Sequence, residues 1–74
     1  MKIINIDEIR SIYNKELHVG SSLLSVNLKS GESFNVSELL MERAMINGLG
    51  LTVDNKYVLP YIVIDYINNE IKEK

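Results

Sequence analysis

Hydrophobic and polar positions alternate most regularly over residues 22–36, and this stretch predicts a β-hairpin. If Leu28-Lys29-Ser30-Gly31-Glu32 closes as a type I turn with a glycine bulge, residue 28 faces 32, 26 faces 34 and 24 faces 36. Side chains alternate along a strand, so Leu24, Val26, Leu28, Phe34 and Val36 share one face. Ser25, Asn27, Ser33 and Asn35 share the other, which is polar and uncharged.

Before the hairpin, the spacing reads as helical. Asn5 stands where a cap would, Glu8 completes a capping-box-like pair, and Ile4 and Ile9 have the separation of a hydrophobic staple. Ile6, Ile9, Ile12, Tyr13 and Leu17 then recur at three- and four-residue intervals, which predicts a first helix ending near Gly20 and Ser21. After the hairpin, Asn35 or Ser37 caps a second helix that runs through Ala44 and Met45 to Asn47 and stops at Gly48. Leu49, Leu51 and Val53 alternate before Asp54-Asn55, and residues 56–59 return, giving a second, shorter hairpin. Pro60 then opens a third helix reaching about Glu73, with Val63, Ile64, Ile67 and Ile71 on its main stripe. The β-branched content of residues 57–64 supports a competing reading of that stretch as strand.

The expected architecture is α+β: a small antiparallel sheet of two hairpins and about four strands, with three helices on its apolar face, in the order α-ββ-α-ββ-α. Seventy-four residues leave room for one domain, residues 1–74, whose folding buries roughly 60–65% of the unfolded surface. A hydrophobic content of 46% and a net charge of −2 place the chain with globular proteins and away from disordered ones. With no cysteine, neither disulfides nor a cysteine zinc site can hold the fold, which fits a cytoplasmic protein. The start of the chain lacks the apolar run of a signal peptide, and residues 57–64, interrupted by Pro60, fall far short of the ~20 residues a membrane span needs. No membrane partner is expected.

Candidate chemistry is sparse. His18 is the only histidine, and with Glu16 it supplies too few ligands for a zinc site, so it reads as a helix-end or loop residue. The serines have no base oriented by a third group, and no G-x-S-x-G pattern occurs. The glycines of Asn47-Gly48-Leu49-Gly50 follow a helix and precede no Lys-Ser or Lys-Thr, so they read as a helix stop and a turn and not as a phosphate loop. Neither catalysis nor a cofactor is expected.

Surfaces offer more. The second helix carries an extra apolar stripe, Leu39 and Ile46, beside Glu42 and Arg43, and the third carries Ile62 and Tyr66 nearly opposite its main stripe. Packing of the helices on one another would account for both pairs; an exposed patch for a protein partner or a homodimer is the alternative. For the Ser25, Asn27, Ser33 and Asn35 face, plain solvation competes with recognition of a partner.

The leading expectation is a non-catalytic protein-binding module, an inhibitor or adaptor acting by surface complementarity. Small phage-borne anti-defence inhibitors have this size, and the abundance of Ile, Asn and Lys fits an AT-rich bacterial or phage genome. The rival is a winged-helix-like DNA-binding regulator, with Arg43 and Asn47 reaching bases and Lys56 at a wing tip. Two glutamates against one arginine on that helix, and scattered basic residues overall, weigh against a nucleic-acid partner.

Overall fold

The computed structural model describes the backbone of residues 1–18 and 21–72 and the side chains of residues 1–14 and 23–71. Six strands and two helices follow one another as β1 (Lys2–Ile3), β2 (Ile9–His18), β3 (Ser21–Leu28), β4 (Ser33–Ser37), α1 (Glu38–Asn47), β5 (Leu51–Val53), β6 (Tyr57–Leu59) and α2 (Tyr61–Lys72), with a single 3-10 turn at Ile6–Glu8. The strands form two three-stranded sheets, ordered β2-β3-β4 and β1-β6-β5. The fold is α+β, but the expectation of three helices over one sheet of about four strands is wrong in both counts.

The error lies in the first helix, and its cause is local. The start signal at Asn5 is real: the Asn5 N–H donates to Glu8 Oε2 at 2.8 Å, and the Glu8 N–H to the Asn5 carbonyl at 3.1 Å. It serves only one 3-10 turn, because Ile9 is already extended, with φ −81° and ψ 122°. From there β2 pairs antiparallel with β3, Ile9 facing Leu28 and Ser11 facing Asn27. Two steps along β2 therefore match one along β3, and Arg10 is the extra residue of a β-bulge. The bulge reverses the phase of alternation, so Ile9 and Ile12, three apart, both reach the apolar side of the sheet. A bulged strand thereby imitates helical spacing. Gly20 and the side chain of Leu17, which also support the helical reading, lie outside the described residues, as do the side chains of Glu16 and His18.

The central hairpin has the expected register: Leu24 faces Val36 and Val26 faces Phe34. Its turn closes with the Gly31 N–H on the Leu28 carbonyl at 3.0 Å and the Leu28 N–H on the Glu32 carbonyl at 2.8 Å. Gly31 sits at φ 97°, a conformation that a side chain would strain. The second hairpin turns through Asp54 and Asn55 at φ 55° and 53°, the positive values a type I′ turn requires. It does not extend the first sheet. Instead β6 pairs with β5 on one side and, in parallel, with β1 on the other, where Lys2 faces Tyr57 and Ile3 faces Val58.

The stop of α1 and the start of α2 follow local chemistry, whereas the start of α1 has no side-chain cap hydrogen bond. Ser37 precedes α1, and Gly48 ends it at φ 67°, with the Gly48 N–H on Met45 O at 3.2 Å and the Leu49 N–H on Ala44 O at 2.9 Å, a Schellman pattern. The Pro60 carbonyl accepts the N–H groups of Val63 and Ile64 at 2.9 and 3.1 Å, opening α2. The contested stretch 57–64 thus divides at Pro60, strand before and helix after.

Helix α1 packs on β3 and β4, α2 on β2, and the two helices touch. Their inward residues Met41, Ala44, Val63, Ile64 and Ile67 join Leu24, Val26, Leu28, Phe34 and Val36 in one buried cluster, which Val53, Tyr57 and Leu59 of the second sheet complete. No helix of the described residues is long and apolar enough to cross a membrane.

Candidate interaction surface

Helix α1 buries one narrow side, Met41 and Ala44. Its opposite side carries Leu39, 55% exposed, and Ile46, 82% exposed, with exposed Glu42 and Arg43 between them. Residues three, four and seven apart share a helical face, so these four form one stripe along the length of α1. Contact between the helices leaves this stripe uncovered. Neither Glu42 nor Arg43 has an ion-pair partner among the described residues, and adjacent positions on a helix do not face each other.

The corresponding pair on α2 divides. Ile62 is 64% exposed. Tyr66 is half-buried against the core and, with Glu70 and Ile71, forms one wall of a cavity of about 360 Å³ whose other wall is β2 from Ile9 to Asn14. The structure therefore does not join Leu39, Ile46, Ile62 and Tyr66 into one patch of common character: three meet solvent and the fourth belongs to a groove.

The polar hairpin face is wider than its own two strands make it, because β2 adds Ser11 opposite Asn27 and Tyr13 opposite Ser25. Asn27 Nδ2 donates to Ser11 Oγ at 3.2 Å. Ser25, in the central strand, is only 9% exposed, whereas Ser33, Asn35 and Tyr13 are open to solvent.

The residues of the DNA-binding reading are committed differently. Asn47 Nδ2 donates to the Arg43 carbonyl of its own helix at 3.0 Å. Lys56 Nζ lies 3.7 Å from Glu32 Oε2, a carboxylate it shares with Lys2, and 5.3 Å from the Tyr57 ring centroid. The element before α1 is strand β4, where a helix-turn-helix would place a helix.

Glu32 is a polar node that spacing did not reveal. It accepts from the Tyr57 hydroxyl at 2.9 Å, the Ser30 hydroxyl at 3.2 Å and Lys2 Nζ at 3.3 Å, and Lys2 also lies 3.5 Å from Glu8 Oε1. These bonds tie the turn of the first hairpin to β1 and β6 of the other sheet, while Tyr57 stacks on Phe34 with ring centroids 4.7 Å apart. The Tyr57 hydrogen bond, then Lys2 and Ser30, hold the Glu32 carboxyl below its ordinary pKa, and the bond to Glu32 raises that of Lys2. Residues 2, 32 and 57 are too far apart in sequence for any motif to announce them.

No group of three or more potential metal ligands occurs among the described residues; the His18 side chain lies outside them. No family model, curated protein or solved structure matches the chain.

Proposed function

We propose that this chain is a non-catalytic protein-interaction module, an inhibitor or adaptor of the cytoplasm whose binding surface is the outer side of α1. The observation that carries the reading is the continuous exposure of Leu39 and Ile46 on a helix that buries only Met41 and Ala44. Isolated surface hydrophobes are common, but two large ones aligned on a single helical face offer a partner a stripe of apolar area rimmed by charge. Lack of cysteine fits a reducing compartment, and a small inhibitor of phage type is one form of such a module.

The test compares the wild type with a Leu39→Glu, Ile46→Glu double variant, both as purified protein and after addition to host lysate. Their particle masses are measured by light scattering after size-exclusion chromatography. A complex heavier than the 8.4 kDa chain in either setting, lost in a variant whose circular dichroism is unchanged, is the expected result. A wild-type monomer in both settings overturns the reading.

A further inference from the structure

Among the described residues the two sheets leave four edges, and three of them carry a feature that discourages pairing with another chain. Strand β1 is two residues long and begins at Lys2, β5 is three residues long, and β2 is bulged at the charged Arg10. Strand β4 has none of these features. It spans five residues, Ser33–Ser37, pairs with β3 in unbroken register, and contains neither a charge nor a proline. Helix α1 and β5 pack against β4, yet among the described residues no strand pairs with its outer edge.

The hairpin turn decides which backbone groups that edge presents. The Leu28 N–H donates to the Glu32 carbonyl, so 28 and 32 form a hydrogen-bonded pair, and in an antiparallel ladder such pairs alternate with non-bonded ones. Phe34 and Val36 therefore direct their N–H and C=O groups at β3. Ser33 and Asn35 direct theirs outward, and both residues are exposed. A second extended backbone meets such groups at matching spacing.

The order of residues along β4 points to which backbone that is. Ser33-Phe34-Asn35-Val36-Ser37 has the same character read from either end. In an antiparallel pairing centred on Asn35, with the twofold axis perpendicular to the sheet, Ser33 lies opposite Ser37 of the other copy, Phe34 opposite Val36, and Asn35 opposite Asn35. Directly opposite residues of an antiparallel pair project on the same face, so polar side chains adjoin polar ones and apolar adjoin apolar. A residue on the axis always meets its own kind, which sets like charges together on a charged edge; Asn35 brings no such repulsion.

Going beyond the α1 reading and not resting on it, we infer that β4 pairs with β4 of a second copy, joining two β2-β3-β4 sheets edge to edge. Each Asn35 N–H donates to the Asn35 carbonyl of the other copy, and each Ser37 N–H to the Ser33 carbonyl. The Ser37 carbonyl stays with α1, whose N-cap it is. So short a contact falls below the ~1,200 Å² of a standard stable interface, and the dimer is weak, with a dissociation constant on the order of 100 μM.

Sedimentation equilibrium of the purified chain from about 10 μM to 1 mM tests this geometry. Asn35→Pro removes an outward N–H, so the ladder to β3 keeps its bonds while the pairing on the axis is lost; dissociation about tenfold easier than in wild type is expected. Asn35→Lys and Asn35→Asp each set like charges opposite one another and weaken the dimer about threefold. An equimolar mixture of these two sets lysine opposite aspartate and recovers wild-type affinity. Circular dichroism checks that each variant is folded, and the two charge variants decide the question if proline disturbs the strand. A wild-type monomer throughout the range overturns the inference; if a complex still forms in lysate, the α1 reading stands without it. A dimer indifferent to all three changes at Asn35, or one lost in the Leu39→Glu, Ile46→Glu variant and kept in Asn35→Pro, also overturns it.

Discussion

Deleting Arg10 removes the one residue by which β2 outruns β3 at its start, and the pairing of the two strands dictates the consequence. Ile9 then adjoins Ser11, and because Ser11 lies opposite Asn27 on the polar face, simple alternation puts Ile9 opposite Leu28 on the apolar face, where it already sits. The deletion therefore turns a bulged strand into a regular one without changing any other pairing, and the Glu8 carbonyl keeps the Lys29 N–H, 2.8 Å away in the wild type. A loss of no more than about 1 kcal/mol is expected. Ile9→Ala, by contrast, empties a buried site and costs about 2–5 kcal/mol, a large share of the about 4–11 kcal/mol expected for 74 residues. It corresponds to a melting temperature lower by roughly 10–40 °C. Urea titration followed by circular dichroism, with thermal melts alongside, measures both variants. A deletion as damaging as Ile9→Ala would refute the bulge as the place where β2 absorbs one extra residue.

Gly50→Ala places a Cβ 2.9 Å from the Leu59 carbonyl oxygen, so the start of β5 must move off β6; a loss of about 1–2 kcal/mol is expected in urea unfolding. Because the folded-state pKa of Glu32 is depressed, its contribution to stability is fully present above the unfolded value and is lost as pH falls through the folded one. Tyr57→Phe should therefore raise the Glu32 titration midpoint seen by carboxyl NMR toward the ordinary range, and the stability gap between variant and wild type should narrow as acid is added. Ile62→Asp, at an exposed site in the first turn of α2, should leave the melting temperature within about 2–4 °C, since a surface change is within about 0.5 kcal/mol. Tyr66→Ala, at a half-buried site packed on the core, should cost about 1–2 kcal/mol in the same melt.

Local chemistry determined those elements whose signals act within a few residues. The Leu28 to Glu32 turn needs a glycine at positive φ, and that demand alone set the register that carries Leu24, Val26, Phe34 and Val36 into the core. Likewise Gly48 ended α1 and Pro60 divided strand from helix. The stripe of Leu39 and Ile46 was legible for the same reason, although periodicity could not say whether a neighbouring helix would cover it. Tertiary structure decided what depends on partners distant in sequence. Residues 9–18 had a credible helical period, but an isolated helix of that length is marginal in water, while β3 offers a full ladder of hydrogen bonds and an apolar face to join. The parallel pairing of β1 with β6, the meeting of Lys2, Tyr57 and Glu32, and the exposure of α1's outer side were settled in the same way, by which surfaces the assembled core left to be covered.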